Sequence, residues 1–571
     1  MKKIFISLMA LLLTLGGATH LCYAIDVEDV PTSITPVVLN KQTPFSKGFS
    51  FYLNGHDVQK DLDPNDLRTN VSKIKFIHAI GGDAVRIPLQ MLRTMNNPTH
   101  KIDEKILTSL HALINEASKP EFQPMHIIID NHDGGSSYTN IANSENPLTP
   151  RATLTSMWDQ VAEELADTSN KVIFELQNEP DWDGAHIFPQ QDWADVQADL
   201  VTHLRESDTK HPIIMTEWAK ASKNPVRNPF YTRAGLANKN VILNVHYYCP
   251  TLFTQQGLPG NNYNRVGDIS WPYNPAEFPL AESYRYLETI DRPSLDLDTS
   301  EAPVHFSVAA QPDYMTQIMN DYVIIANQLD APLFVGEWGA SGKPGMRPSR
   351  LKYYKFLTNQ FKQRGISWTS WNLDDYSFSP LDITKHTTDF LYDTDVDKDV
   401  VEAMGLHTVA VPRMGKDDFV MYDDDAHFTK NFAVWWGEFS ANPYVTRYDT
   451  DAKDGLSNIR FIGGNRDLRF QFIPEINGID FMKQGYTIEF DAKVDSNLLV
   501  RVGFANNGDG RYNKPVNLIG DQQYHHYSVT LDNLVASNNF DQNHFDNISF
   551  LSGDPDVKNI RYDNIVFKAH Q

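Results

Sequence analysis

Short runs of consecutive apolar residues recur along most of the chain, and an amphipathic stretch follows most of them. Several runs are apolar at consecutive rather than alternating positions, which is typical of parallel strands covered on both faces. Between them, 103–119 and 154–167 place apolar residues at helical spacing. Strand and helix alternating in this way predict a (β/α)8 TIM barrel, an α/β fold whose functional site lies at the carboxyl ends of the strands. The eight predicted strands are 49–55, 83–89, 125–131, 171–177, 212–218, 241–248, 332–338 and 365–371.

The pattern changes near residues 412–418. From about residue 416 onward, alternating apolar and polar runs are separated by Asn, Asp and Gly, and helical spacing is missing. This sequence pattern predicts an all-β sandwich. We therefore expect a barrel domain over 25–415 and a β-sandwich domain over 416–571.

The first residues have the features of a targeting segment. Lys2 and Lys3 precede an apolar run over 4–15, and Ala24 ends the segment. The pattern predicts a secretory signal peptide over 1–24, because the apolar run is shorter than the roughly 20 residues that a membrane span requires. We expect an exported protein, periplasmic or extracellular, that has no membrane association after cleavage. Cleavage would leave Cys249 as the single cysteine, so no intramolecular disulfide could form.

Composition narrows the class of partner. The formal net charge of -23 argues against nucleic acid, since phosphate binding needs clustered Lys and Arg. The same acidity also keeps an exported protein soluble, which is the simpler explanation. Aromatic residues make up 11% of the chain, and their flat faces serve both for packing and for stacking on sugars. A neutral substrate fits these features better than a polyanion.

Polar residues follow the predicted strands where the functional site of a barrel is expected. Ordinary surface loops would favour Asp, Ser and Gly at these positions. Glu179 and Glu337 follow different strands, and cleavage of a glycosidic bond needs two such carboxylates, one to protonate the leaving oxygen and one to attack or to activate water. The candidate site residues are Arg86, His132, Asn178, Glu179, His246, Tyr248, Glu337 and Trp371.

These residues occur in the motifs VRIP, NHD, QNEP, HYYCP, GEWG and WTSWNL, which follow one another in this order on successive predicted strands. In these motifs, residues 45–410 resemble glycoside hydrolase family 5, a family of retaining cellulases and mannanases built on (β/α)8 barrels. The resemblance implies that Glu179 is the general acid and base and that Glu337 is the nucleophile. For a retaining enzyme, the two carboxyl groups should lie about 5 to 5.5 Å apart.

The resemblance also implies roles for the other strand-end residues. Arg86 and Tyr248 would hydrogen-bond the nucleophile and keep it ionised. Asn178 would bind the 2-hydroxyl of the sugar at the reacting position. The remaining residues would line the same subsite and provide a platform under the sugar ring: His132, His246 and Trp371. The chain departs from the usual pattern at Asp133, Glu217 and Trp218, which we expect to border neighbouring subsites.

The expected activity is the hydrolysis of a β-linked polysaccharide or oligosaccharide by double displacement, without a cofactor for catalysis, and first of all as an endo-β-1,4-glucanase. A β-mannanase or a xyloglucanase on the same fold remains an alternative, since these activities differ in the subsite loops. An inactive carbohydrate-binding protein is the alternative of another class, and the joint presence of the two glutamates with Arg86, Asn178 and Tyr248 argues against it.

A metal-dependent barrel hydrolase would need clustered ligands, often two histidines separated by one residue on the first strand. The first predicted strand is followed only by His56 and Asp57. This alternative is therefore disfavoured.

The C-terminal region more loosely resembles the jelly-roll carbohydrate-binding modules of secreted hydrolases, through MYDDDAH near its start and RYDNIVF near its end. Some of those modules hold a structural calcium ion. Asp423, Asp425 and Asp563 are candidates for such a site, because carboxylate oxygens suit calcium. Acidic turn residues explain the same aspartates without a metal. We expect a monomer.

Overall fold

The computed structural model describes residues 27–51, 68–95, 97–122, 124–180, 187–218, 239–258, 266–276, 306–342, 347–373, 378–380, 396–408, 416–422, 433–435, 445–448, 451–453, 458–461, 467–476, 484–505, 511–537, 540, 545–552 and 559–570. The predicted signal peptide, residues 1–24, lies outside the described residues. So do His56 and Asp57 of the disfavoured metal site.

Eight parallel strands form a closed barrel in the N-terminal part of the chain. Each strand pairs with the next one along the chain, and the last closes the barrel on the first, with Lys47 opposite Trp368. The predicted (β/α)8 fold is confirmed. The strands are β1 (Lys47–Ser50), β2 (Ala84–Leu89), β3 (His126–Asn131), β4 (Val172–Glu175), β5 (Ile213–Thr216), β6 (Val241–Tyr247), β7 (Leu333–Trp338) and β8 (Ser367–Ser370).

Helices alternate with the strands and cover the outside of the barrel. Local sequence explains where two of them begin: the Asp103 side chain accepts a hydrogen bond from the backbone N–H of Lys105, and the Thr149 side chain accepts one from that of Ala152. None of the described helices is both long enough and apolar enough to span a membrane. They are α1 (Arg68–Ala79), α2 (Glu104–Ala117), α3 (Gly135–Ala142), α4 (Pro150–Glu164), α5 (Gln190–Leu204), α6 (Thr251–Thr254), α7 (Phe306–Ala309), α8 (Pro312–Gln328), α9 (Arg347–Arg364) and α10 (Lys398–Ala403).

The interior of the barrel has an apolar layer near the amino ends of the strands and a polar layer above it. Side chains two residues apart on a strand point to the same face, so each apolar residue of the lower layer predicts which residue stands above it. The lower layer comprises Phe45, Ala84, Ile128, Ile173, Ile214, Ile242 and Phe334. Two residues further along the strands come Arg86, Asp130, Glu175, Thr216, Asn244 and Gly336, all of them buried.

In the connection after β6, the described segment 266–276 packs against the barrel through aromatic residues. Trp271 is buried, and its ring centroid lies 5.4 Å from that of Tyr353 and 5.1 Å from that of Phe356, both on α9. Tyr273 contacts Phe306 edge to face. Trp271 therefore packs the 266–276 segment onto α9 rather than offering a free face to a sugar.

The C-terminal region contains two antiparallel sheets packed face to face, as predicted for a β-sandwich. The ring of Phe490 in one sheet lies 5.0 Å from that of Phe550 in the other, and both belong to one apolar core. One sheet has the order β10-β13-β19-β15-β16-β18; the other has the order β11-β12-β20-β14-β17, with β9 also paired to β20. The strands are β9 (Phe419–Tyr422), β10 (Ala433–Trp435), β11 (Val445–Tyr448), β12 (Asn458–Phe461), β13 (Asp467–Ile476), β14 (Thr487–Lys493), β15 (Leu498–Ala505), β16 (Arg511–Leu518), β17 (His525–Thr530), β18 (Val535–Ala536), β19 (Phe545–Ser552) and β20 (Ile560–Lys568).

Among the described residues, the two cores share no member. The barrel core extends to Leu406, and the sandwich core begins at Phe419. The predicted boundary between residues 415 and 416 lies between them.

Deletion of residues 416–571 is expected to leave a barrel that unfolds cooperatively, because no described residue of its core is removed. Thermal unfolding followed by circular dichroism measures this. A deletion that begins at residue 398 is the control, since it also removes Val400 and Val401, which are fully buried in the barrel core. An unfolded 1–415 fragment would show that the two regions depend on each other.

Candidate active site

Arg86 lies on β2 at the centre of the polar layer, with no part of its side chain exposed. Its guanidinium contacts three carboxylates. Nε donates to Glu175 Oε2 at 2.7 Å, Nη2 lies 3.0 Å from Asp130 Oδ2, and Nη1 donates to Glu337 Oε1 at 2.8 Å. Burial alone would lower the pKa of the guanidinium, but the three carboxylates raise it well above its ordinary value. The cation thus holds three acids from three different strands in one place.

The acids around Arg86 do not all behave as ordinary carboxylates. Burial raises the pKa of Asp130 to about 7, with Arg86 opposing the shift and Glu179 adding to it. Burial also raises the pKa of Glu175, although Arg86 contacts both of its oxygens. Since one cation faces several acids in a dry interior, part of the negative charge is removed by protonation rather than by pairing.

Glu337 stands at the end of β7, and separate donors bind its two oxygens. Arg86 donates to Oε1, and the Tyr248 hydroxyl donates to Oε2 at 3.0 Å. Only 7% of the Glu337 side chain is exposed. Burial raises the pKa of Tyr248 well above its ordinary value, and the negative charge of Glu337 adds to this, so this hydroxyl keeps its proton and remains a donor. Two donors, one on β2 and one directly after β6, therefore hold the Glu337 carboxylate in place.

Glu179 follows β4 and is more accessible, with 28% of its side chain exposed. Its Oε1 lies 2.8 Å from His246 Nδ1. Burial raises the pKa of Glu179, and His132 and Arg86 oppose the shift. A carboxyl with a raised pKa that can still reach solvent is suited to act as a proton donor.

The two glutamates face each other across His246. Nδ1 of this histidine lies 3.5 Å from Glu337 Oε2 as well as 2.8 Å from Glu179 Oε1. One carboxylate oxygen of Glu179 and one of Glu337 lie within 4.8 Å of each other. This upper limit lies below the roughly 6.5 to 9.5 Å that separates the carboxyl groups of inverting glycosidases, and it is compatible with the about 5 to 5.5 Å of retaining ones.

Both histidines of the site are neutral above mildly acidic pH. Burial lowers the pKa of His132 to about 4 and that of His246 to about 4. His132 Nδ1 lies 2.6 Å from Asp130 Oδ2, and its ring stacks on that of Trp371 with centroids 5.3 Å apart and planes 11° apart. Asp130 therefore orients His132, and His132 supports one face of the Trp371 indole.

Asn178 is held by the same arginine. Its Oδ1 accepts a hydrogen bond from Arg86 Nη2 at 2.8 Å. Because the oxygen of the amide is used in this way, the nitrogen is left to donate to a ligand in the cavity. The eight residues predicted from the strand ends thus meet at one site on the carboxyl side of the barrel.

Sequence reasoning missed Asp130, Glu175 and Asn244, which lie within apolar runs and outside the motifs that identified the other residues. A signal was present: each stands two residues beyond an apolar barrel residue, so it shares the inward face of its strand. A charged or amide residue on the inward face of such a strand needs buried partners, and these partners belong to the site.

The expectation that Asp133 and Glu217 border neighbouring subsites is wrong. Asp133 is buried and accepts a hydrogen bond from the backbone N–H of Leu92 at 2.8 Å. Glu217 is buried and accepts hydrogen bonds from the backbone N–H of His246 at 3.1 Å and from the Tyr322 hydroxyl at 3.3 Å. Both carboxylates form hydrogen bonds inside the protein and do not border a subsite.

Trp218 is buried as well, and its Nε1 donates to the carbonyl of Phe188 at 2.9 Å. The expectation that it borders a subsite is therefore also wrong. Its indole packs in the core of the barrel.

Of the three calcium candidates, Asp423 and Asp425 lie outside the described residues. Asp563 is fully buried in the sandwich domain. Its Oδ2 accepts a hydrogen bond from the backbone N–H of Lys453 at 2.7 Å, and its Oδ1 accepts one from that of Asn564 at 2.9 Å. These bonds account for the carboxylate without a metal, and the calcium site stays a prediction.

Arg86→Met is expected to lower the free energy of unfolding by about 3–5 kcal/mol near neutral pH, because it leaves buried carboxylates without their cation. The loss should shrink as the pH falls. A carboxyl whose pKa is raised in the folded state destabilises the fold above that pKa, and the cost disappears as the group takes up a proton. For Asp130, whose pKa is already about 7, this window starts near neutrality.

Denaturant unfolding at about pH 8 and about pH 5 tests this expectation. Arg364→Met is the matched control, since Arg364 is equally buried but donates to Asn320, to Gln360 and to the carbonyl of Thr316 rather than to carboxylates. Its loss should not depend on pH over this range. Equal pH dependence of the two variants would contradict the role given to Arg86.

Comparison with known proteins identifies the family of the barrel region. The model of one protein family, "Cellulase (glycosyl hydrolase family 5)", matches residues 46–377. Endoglucanase 3 of Fibrobacter succinogenes is 24% identical over 250 residues, which cover 43% of this chain and 36% of that protein. Endoglucanase A of Clostridium longisporum is 20% identical over 314 residues, which cover 53% of this chain and 51% of that protein. The chain thus spans between about a third and a half of the length of these curated relatives.

Among solved structures, the chain is similar to endoglucanase Cel5A from Thermotoga maritima, which is 20% identical and has a TM-score of 0.44, covering 63% of this chain and 96% of that chain. A lichenase of the same family from Caldicellulosiruptor sp. F32 is 16% identical and has a TM-score of 0.44, covering 66% of this chain and 98% of that chain.

Proposed function

Because the chain belongs to the cellulases of glycosyl hydrolase family 5, we propose that it hydrolyses β-linked glucan chains as a retaining endo-β-1,4-glucanase. The observation that carries the proposal is the pair of carboxylates at the barrel mouth. Glu179 and Glu337 come from different strands, and oxygens of the two lie within 4.8 Å of each other. No water molecule needs to fit between them and the sugar in a double displacement, which suits a short separation.

In the first step, the Glu337 carboxylate attacks the anomeric carbon while Glu179 gives its proton to the glycosidic oxygen. The bond between Glu337 and the sugar forms as the bond to the leaving chain breaks, and the leaving chain departs as an alcohol. Arg86 and Tyr248 hold the attacking carboxylate in place through their hydrogen bonds. The Asn178 amide nitrogen is available to bind the 2-hydroxyl of that sugar.

In the second step, Glu179 acts as a base. It takes a proton from a water molecule, the oxygen of that water attacks the anomeric carbon, and Glu337 is released as a carboxylate. The cycle returns both glutamates to their starting states, and the anomeric configuration is retained after two inversions. The partial exposure of Glu179 supports this role, since the group must exchange protons with solvent between turnovers.

The choice of a glucan is supported by the names of two curated relatives, Endoglucanase 3 and Endoglucanase A. Within one fold, substrate choice depends on the loops around the site rather than on the carboxylate pair. The proposal for substrate class therefore goes beyond the family membership and needs its own test.

The test is release of reducing sugar by the purified protein from carboxymethylcellulose, mixed-linkage glucan, glucomannan, galactomannan, xyloglucan and xylan. We expect release from the first two and a fall in the viscosity of carboxymethylcellulose that precedes most of the sugar release, as cleavage within chains requires. Release only from galactomannan or only from xyloglucan would replace the glucanase with a mannanase or a xyloglucanase. No release from any substrate would contradict the proposed hydrolase.

A further inference from the structure

Asn244 lies on the inward face of β6, two residues before His246, and its side chain is fully buried. Its Oδ1 accepts a hydrogen bond from the backbone N–H of Gly336 at 2.8 Å. Its Nδ2 donates to Glu175 Oε1 at 2.9 Å, and lies 3.4 Å from His246 Nε2 and 3.5 Å from Thr216 Oγ1. Asn244 is therefore placed directly behind the histidine that lies between the two glutamates.

The orientation of the Asn244 amide follows from its partners. A backbone N–H can only donate, so the atom that faces Gly336 must be the oxygen. The atom that faces Glu175 must be the nitrogen, because that carboxylate oxygen also accepts from Arg86 Nη2 at 2.8 Å. The donor at Gly336 and the acceptor at Glu175 thus require the same orientation of the amide. In this orientation the NH₂ group faces the imidazole of His246.

This orientation selects one tautomer of His246. If Nε2 carried a hydrogen, two donors would face each other across 3.4 Å. Nε2 is therefore the acceptor, and the ring hydrogen is on Nδ1. The ring is neutral above mildly acidic pH, so Nδ1–H can donate but cannot accept. Its partner is Glu179 Oε1 at 2.8 Å.

We propose that Asn244 is a positioning residue, which holds His246 as the Nδ1–H tautomer and thereby directs the catalytic proton of Glu179 onto Oε2. This inference rests on the proposed function, in which Glu179 is the general acid. Oε1 is occupied as an acceptor, so a proton on that oxygen would meet the hydrogen of Nδ1. The acid proton therefore sits on the other oxygen, away from the histidine.

The proton balance is simple. In the first step, the Oε2 proton moves to the glycosidic oxygen as the bond from that oxygen to the anomeric carbon breaks. The hydrogen on His246 Nδ1 stays where it is and stabilises the Glu179 carboxylate that results. In the second step, Oε2 takes a proton from the attacking water. With the opposite tautomer, Nδ1 would accept the Glu179 proton in a hydrogen bond and hold it away from the substrate.

The backbone of β7 is adapted to this arrangement. A Cβ atom at Gly336 would lie 2.5 Å from Asn244 Oδ1 and 2.7 Å from its Nδ2. Residue 336 must therefore lack a side chain for the amide to occupy its site. Gly336 and Glu337 are adjacent in sequence, so the same short segment supports the amide behind the histidine and carries the second glutamate.

The main test is Asn244→Leu, which keeps the approximate size of the side chain and removes the donor. We expect kcat/KM on a cello-oligosaccharide, whose leaving group needs protonation, to fall about 100-fold, and kcat/KM on an activated dinitrophenyl β-cellobioside to fall by less than about five-fold. Asn131→Leu is the control: it is a buried amide on β3 that bonds to Tyr138, Leu176 and Gln177. Its effect should be equal on both substrates.

A double-mutant cycle with Glu179→Ala separates positioning from general damage. If Asn244 acts through Glu179, Asn244→Leu should have no further effect on the cello-oligosaccharide in the Glu179→Ala background. Equal losses on both substrates, or additive losses in the cycle, would overturn the proposal while leaving the hydrolase function standing.

A spectroscopic measurement reports the tautomer of His246 in the wild-type protein without measuring activity. In the full-length wild-type protein labelled with [15N]histidine, the signal missing from a His246→Asn variant identifies His246, and its nitrogen shifts report the tautomer. We expect a protonated Nδ1 in the wild type, and an ionised Asp at position 244, in Asn244→Asp, should move the hydrogen to Nε2. A wild-type Nε2–H tautomer would overturn the inference directly, whereas inactivity of the wild type on every glycan would overturn the proposed function.

Discussion

Glu337→Ala is expected to abolish hydrolysis of the polysaccharide, with a fall in kcat/KM of at least about 10⁴-fold. The variant lacks the carboxylate that we propose forms the bond to the sugar, and no other described acid lies at that position with two donors aimed at it. The fold should remain intact, because Arg86 keeps its contacts with Glu175 and Asp130. Reducing-sugar release measures the activity, and circular dichroism measures the fold.

Azide added to Glu337→Ala provides a sharper result than the loss alone. With an activated aryl glycoside, azide can enter the space left by the side chain and attack the anomeric carbon once. The product should be a glycosyl azide of inverted configuration, since one displacement inverts and two retain. A retained product would contradict the assignment of Glu337 as the nucleophile. So would wild-type activity of the variant.

Glu179→Ala is expected to lower kcat/KM on cello-oligosaccharides by about 10²–10⁴-fold, because their leaving group departs only when it is protonated. The first step on a dinitrophenyl glycoside needs no acid, so that step should change little. Added azide should then speed turnover by attacking the glycosyl-enzyme in place of activated water, and the product should keep its configuration. Equal losses on both substrates would contradict the role of Glu179.

The pH profile gives a second check on Glu179. Its pKa is raised by burial, and the acid is in the required protonated form only below that pKa. Activity that depends on the acid is therefore lost as the pH rises through the raised pKa. The wild-type kcat/KM profile on a cello-oligosaccharide should therefore show this basic limb, and the profile on the dinitrophenyl glycoside, whose first step needs no acid, should lack it. The same limb on the dinitrophenyl glycoside would have to come from another group.

The strand positions and the residues that follow the strands could be predicted from the sequence, because both depend on local patterns. Consecutive apolar residues mark a strand covered on both sides, and the barrel rule then places the next polar residues at the open end. In this way Arg86, Glu179 and Glu337 were predicted to share a site although 251 positions separate Arg86 from Glu337.

The errors and omissions come from contacts that no local pattern encodes. Asp133 and Glu217 follow strands just as Glu179 does, yet the backbone there turns them towards Leu92 and towards His246. A polar residue after a strand can point towards the active site or into the protein interior, and the conformation of the loop that contains it decides which. Aromatic residues are subject to the same limit. The burial of Trp271 depends on Tyr353 and Phe356 of α9, which are distant from it in the sequence.

By itself, the sequence determined the fold class, the family and which side chains are available for chemistry, because periodicity and motif order can be recognised without knowing any distance between residues. Only the tertiary structure decided how those side chains share protons. The pKa of a carboxyl depends on burial and on charges a few ångströms away, and the tautomer of His246 depends on an amide whose own orientation is set by Gly336 and Glu175. These partners come from β4, β6 and β7, and only closure of the barrel brings them together.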